Sequence, residues 1–410
     1  MTDITKNQSM LDLRLLAAAP HRFMFFVGAT NVLMAMLWWT LWLLDARFQW
    51  FGLAQPAIPA GWMHAIVMQY QVLTPFIFGF LLTVFPRWMN LQALSRWHYV
   101  PVGLGLLGGQ LLTLIGLFGF PHLLFLGLLQ TTAGWLTGLI FLLTLLWKEK
   151  QTTWHAISCA AAFSLGLVGL LLVLAYAYTG NARLMFAAIK FGSFGLLLPI
   201  YFTVCHRMLP FFASAVIPGY KMFRPLWALS LFWCLVLLHL ALELLHGYAW
   251  LWLPDIALVV LTSYLLWQWR PRQTKIPALL KVLMLGFAWL PIAMLLYAIQ
   301  SAWFISTGEF ILARAPAHAL FVGFFGSLLV AMVTRVTQGH SGRPLELGRV
   351  AAFAFVVIQI VAVLRVLAEL FPDSLMWQGI TGILWLVAFI PWVLRSSWIY
   401  LTPRVDGQAG

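Results

Sequence analysis

The chain has 410 residues, 63% of them hydrophobic and 9% charged, with a formal net charge of +13. A charged fraction so far below the roughly 25% of soluble domains excludes a soluble globular protein and indicates a polytopic membrane protein. The basic residues sit in short loops between apolar runs, with no contiguous basic face, which excludes nucleic acid as the partner and points to the lipid bilayer.

In chain order, residues 1–22 form an N-terminal segment with acid where a signal peptide needs a positive region, so no cleaved signal is expected. Leu11, Leu13, Leu15 and Leu16 with Arg14 read as a short interfacial helix. Apolar runs follow at 23–44, 62–85, 99–118, 121–147, 155–179, 184–205, 226–245, 250–269, 277–300, 317–336, 349–371 and 376–399, before a tail at 400–410. Runs of this length predict an all-α polytopic membrane protein of twelve spans, because strand-like alternation of barrel length is absent. The connections near 118–121 and 246–250 are so short that they predict antiparallel hairpins. Cys159, Cys205 and Cys234 lie in or beside these runs without a CxxC, which argues against a disulfide framework or a zinc ribbon.

Lysine and arginine set the orientation. Arg47, Arg183 and Arg314 occupy the odd-numbered loops, while the termini and even-numbered loops hold nearly all the others, so both termini are expected on the cytoplasmic side. The second, sixth and tenth runs end in TVFPR at Arg87, TVCHR at Arg207 and AMVTR at Arg335. That similarity suggests three four-helix units, 23–147, 155–269 and 277–399. Arginine anchoring a helix end at the interface explains the same residues without a repeat.

Ionisable side chains inside spans are candidate functional residues because each needs a ligand, a partner or water. His64 and His318 lie near the outer starts of the second and tenth spans, where two neutral imidazoles could hold haem iron or could be plain interfacial residues. His239, Glu243 and His246 fall at i, i+4 and i+7, one face of the seventh helix, a stripe able to offer a copper site or simply to pack. Lys190 is expected to snorkel, to attract a haem propionate, or to pair with Glu243 or Glu369; Arg365 and Glu369 are expected to neutralise each other. CHRMLPFF with His206 and TRVTQGHSGRP with His340 offer a second metal site, an anion-binding surface or ordinary helix-end anchors.

These blocks carry a resemblance. HAIVM with GFLLTVFPRW (His64 to Trp88), HRMLPFF, and HALFVG with TRVTQGHSGRPL (His318 to Leu345) are similar in order and spacing to the NnrS family of bacterial inner-membrane proteins. The resemblance covers most of the chain. It implies haem and copper as cofactors and a role in nitric oxide metabolism and nitrosative-stress defence, with a redox partner. It also implies that His64, His318 and His340 match family histidines. The chain departs from the family's HAHEM pattern, having Ile66 and Val67, and places His206 where many members have glycine. The haem-copper oxidases offer an analogy, with twelve helices and haem-ligating histidines on the second and tenth, but the seventh span here lacks their adjacent histidine pair. A secondary transporter or a sensor without a redox cofactor is the other expectation, since Pro75, Pro199 and Pro291 interrupt spans.

Overall fold

The computed structural model describes residues 11–272 and 275–408, and contains twelve helices long and apolar enough to cross a membrane. They run Pro20–Phe48, Ala60–Trp88, Arg96–Gly116, Pro121–Lys148, Trp154–Thr179, Ala182–Val216, Leu226–Leu244, Tyr248–Trp269, Ala278–Thr307, Ala315–His340, Arg349–Leu367 and Ser374–Tyr400. No strand occurs among the described residues. Every span matches one apolar run. The sixth continues to Val216 and the ninth to Thr307, whereas the eleventh stops at Leu367, short of the expected 371. The N-terminal leucines form one 3₁₀ turn, Leu13–Ala18, where an interfacial helix was expected; the Asp12 carboxylate caps it by accepting from the Arg14 N–H. Leu11 precedes the turn outside any helix, and residues 1–10 lie outside those described.

The described N- and C-terminal segments meet at one face. Arg22 Nη1 donates to the carbonyls of Tyr400 and Thr402, and the Asp12 N–H donates to the Leu401 carbonyl. The tail then docks on the turn after the tenth span, where Val405 N–H donates to the Ser341 carbonyl. The Arg404 guanidinium hydrogen-bonded to Asp406 holds that carboxyl down to about 2. The first span packs along the twelfth as well as the second and third, which closes the bundle.

The second and tenth spans are the innermost, with 89% and 78% of an apolar stretch of each buried. They converge with the sixth around a small apolar cavity of about 70 Å³ lined by Phe76, Ile200 and Leu328 among others. Their far ends interlock. Arg207 rests over Trp88, Arg335 rests over Phe212, and Arg87 is within electrostatic range of His340.

These three inner spans share a second feature: each widens into a π-helical segment, at Val67–Val72, Phe191–Leu197 and Ala319–Gly326. Two of the three have a proline just downstream. Pro75 has no N–H for the Gln71 carbonyl, which accepts instead from Asn31 Nδ2 of the first span at 2.7 Å. In the sixth span the carbonyls of Ala188 and Ile189 accept from Tyr70 Oη and Gln69 Nε2 of the second. Backbone groups exposed by the widened turns are thus bonded across spans, as hydrocarbon requires.

Small residues weld the hairpin between the third and fourth spans. A Cβ on Gly105 would lie 2.7 Å from Gly134 Cα, and one on Gly127 would lie 2.4 Å from the Thr113 backbone nitrogen, so the two helices touch through their backbones. The turn between them contains Gly119 at φ 104°, a conformation that disfavours side chains. Gly127→Val is therefore expected to cost about 1–3 kcal/mol by overpacking. Gly339→Ala, whose new Cβ meets nothing closer than 3.7 Å, is expected to be neutral or slightly stabilising. Reversible unfolding in mixed micelles, followed by tryptophan fluorescence, compares the two; equal midpoints would show that the hairpin does not depend on that contact.

Candidate functional site

Between the inner spans and the first, ninth, eleventh and twelfth lies a cavity of about 350 Å³, within the roughly 300–1,000 Å³ of cofactor-sized sites. All three π-helical segments line it, through Gln69, Ser193, Phe194, Phe321, Val322 and Gly326. π-helical turns of this kind recur at functional sites. The cavity reaches the face opposite the termini at Gly61 and at Arg314, which is exposed.

His64 and His318 both line this cavity, each a short step before its span's π segment. The His64 ring stacks on Trp39 of the first span, centroids 4.2 Å apart and planes 8° apart, which fixes its plane. His318 Nδ1 donates to the Arg314 carbonyl one turn back, at 2.9 Å. A carbonyl only accepts, so in the neutral ring Nε2 carries the lone pair, and the orienting bond is of the kind that sets up a metal-ligating imidazole. Both side chains are half-buried because the cavity exposes them. The structure thus places both histidines on one cavity.

Three cationic side chains share the wall. Arg365 comes from the eleventh span and bonds Glu369 at 2.8 Å, as the spacing anticipated, although Glu369 lies beyond the helix end. Arg314, from the loop before the tenth span, was missed because a single arginine in a loop carries no sequence signal. Lys190 also lines the wall, immediately before the sixth span's π segment, and bonds Glu243 of the seventh at 2.8 Å. Of the partners anticipated for Lys190, Glu243 is the one it meets.

The stripe on the seventh helix is corrected. His239 and Glu243 lie together, with His239 Nε2 3.7 Å from Glu243 Oε1, but the helix ends at Leu244 and His246 falls in a left-handed turn at φ 57°. There its Nδ1 faces the Glu243 backbone carbonyl and the Tyr248 hydroxyl. The second partner of His239 is Asp255, in the first turn of the α-helix Trp252–Trp269 within the eighth span, with Nδ1 and Oδ1 2.6 Å apart. Asp255 was not singled out beforehand, although a lone acid close to the start of an apolar run was the available signal.

His206 and His340 form two separate pairs near the termini face. His206 Nδ1 is 3.0 Å from His155 Nε2, and its Nε2 donates to the Pro225 carbonyl at 3.2 Å, so both nitrogens are used. His340 lies against His21 with ring centroids 4.1 Å apart. Among the described residues no group of three His, Cys, Asp or Glu side chains is arranged to hold a metal ion. His206 and His340, offered as a second metal site, an anion-binding surface or helix-end anchors, thus lie in two histidine pairs that involve different spans.

Compared with known proteins, the chain matches the family model described as NnrS protein over residues 15–404. No curated protein matches it. A match over nearly the whole length, through every span and both faces of the bundle, is enough to assign membership: the chain belongs to the NnrS family.

Proposed function

We propose that the cavity is a haem site, and that the protein binds or carries out redox handling of nitric oxide or its metal adducts there. Family membership supports a multi-pass membrane protein of the nitric oxide response in general terms. The observation that carries the finer reading is the convergence of His64 and His318, from the second and tenth spans, on one cofactor-sized cavity. The residues present fit the group. Two oriented imidazoles would hold the iron, Phe194, Phe321 and Trp385 supply apolar wall, and Arg314, Arg365 and Lys190 would meet acidic substituents. Held in this way, haem supplies one-electron chemistry and, where a ligand yields, a coordination position for nitric oxide. The protein's own part is to fix the two rings, through Trp39 and the Arg314 carbonyl. Copper, also expected in the family, would need ligands beyond the His21–His340 and His155–His206 pairs. The basic loops support a bacterial inner-membrane location with both termini cytoplasmic. Three four-helix units are supported by the π segments recurring in the second, sixth and tenth spans.

A secondary transporter is the second reading, favoured by interrupted inner spans and buried charge around a cavity. It predicts a colourless protein whose substrate flux in proteoliposomes follows Lys190 and Glu243.

Optical spectra of the purified protein, oxidised and then reduced, separate the two. A haem signal that changes with nitric oxide is expected in the wild type. His64→Ala and His318→Ala are each expected to lose most of that absorbance while eluting as folded protein. A spectrum surviving both substitutions together would refute the ligand assignment. Arg314→Gln is expected to weaken haem retention about tenfold, the ~1.4 kcal/mol scale of one charge-assisted contact. Haem transfer to apomyoglobin measures it, and an unchanged transfer rate would remove Arg314 from the site.

A further inference from the structure

Asp255, His239, Glu243 and Lys190 come from the sixth, seventh and eighth spans and join end to end. Asp255 Oδ1 is 2.6 Å from His239 Nδ1, His239 Nε2 is 3.7 Å from Glu243 Oε1, and Glu243 Oε1 is 2.8 Å from Lys190 Nζ. Lys190 is on the cavity wall. His239 and Asp255 are fully buried, and Glu243 is 3% exposed. Phe194 and Tyr297, both cavity-lining, pack on the His239 ring at 3.9 and 5.3 Å. The remaining titratable groups facing these carboxylates are the hydroxyls of Tyr297 and Tyr248, while His246 sits beyond Glu243 at the end of the helix.

A Lys190–Glu243 pair alone would be neutral, so a structural role for it needs neither His239 nor Asp255. The arrangement has one further property. With Nδ1–H donated to Asp255, a neutral His239 ring presents its Nε2 lone pair towards Glu243 Oε1, and neither atom can donate to the other. His239 Nε2 and Asp255 Oδ2 have no hydrogen-bond partner, although both are buried. Two acceptors facing each other are relieved by one proton, which can sit on Nε2 or on Glu243. At 3.7 Å the gap exceeds a direct hydrogen bond, so a proton shared between them requires the Glu243 carboxyl to move closer.

We propose that Asp255, His239, Glu243 and Lys190 form a proton-exchange chain that takes up one proton when negative charge enters the cavity and releases it when that charge leaves. Only an N–H or O–H bond forms or breaks. The proton comes from solvent on the face opposite the termini, beneath which Glu243 and Asp255 both lie, and Lys190 transmits the charge state to the cavity. Coupling to a haem electron rests on the function proposed above; the protonation of the chain itself does not.

The test has two arms on the full chain in nanodiscs. Without added cofactor, infrared difference spectra between pH 5 and 9 in H₂O and D₂O are expected to show a deuterium-sensitive carboxyl band that titrates, and Glu243→Gln is expected to abolish it. With haem bound, the reduction potential is expected to fall by the ~59 mV equivalent of a tenfold change in proton concentration for each pH unit. Glu243→Gln and His239→Gln are expected to flatten that dependence while keeping the haem spectrum. Should Glu243→Gln fail to fold, Asp255→Asn is read by the same band and is expected to shift its midpoint. A wild type with no titrating band, or a Glu243→Gln protein that titrates like wild type, overturns the chain. A titrating band without any haem signal leaves the chain standing and removes the haem site instead.

Discussion

In hydrocarbon a backbone carbonyl without a partner has no water to turn to, and the inner architecture of this protein follows from where that rule is strained. Pro75 removes one backbone bond in the second span, and the helix answers with a π segment and a side-chain bond from Asn31. In the sixth span, Tyr70 and Gln69 reach across from the second to the carbonyls of Ala188 and Ile189, just before its π segment. These bonds hold the inner spans in register. The same widened turns open the cavity, so the device that satisfies the backbone also creates the site.

What the sequence made legible is what hydropathy and charge encode. Twelve apolar runs gave twelve spans, and the short link near 118–121 gave the tightest hairpin. Partners on neighbouring turns of one helix, such as Arg365 and Glu369, were readable from spacing. His64 and His318 stood out because imidazoles are rare at such positions in apolar spans. The π segments were not readable, since the tenth span has one without a proline just after it. Partners on other spans were legible only as alternatives, as with Lys190 and Glu243, or not at all, as with His239 and Asp255, because no local pattern records which helices meet. His246 shows a subtler limit: i+7 spacing counts only while the helix lasts, and this one ends at Leu244.

The departure from the family's HAHEM pattern gains a physical context here. Ile66 and Val67, standing where a histidine and a glutamate are the family pattern, are both buried in this chain. Val67 opens the π segment itself, so an ionisable group at that position would face packed protein unless a partner met it. An apolar pair is consistent with the packing around it and leaves His64 as the second span's contribution to the cavity.

The distribution of charge makes the last connection. Ionisable groups are costly in a bilayer, yet this bundle gathers several of them around one cavity and within the adjacent seventh and eighth spans. Arg365 has Glu369, and Lys190 has Glu243, so neither cation is available to the cavity at full strength. Arg314 stands at the exposed rim and pairs with no carboxylate among the described residues. The cavity therefore presents a positive rim and an interior whose cations are already balanced by carboxylates. The proposed haem site would then meet acidic substituents first at Arg314. Further negative charge placed deeper inside would then be compensated more readily by a proton on the Glu243–His239 edge than by moving a paired cation.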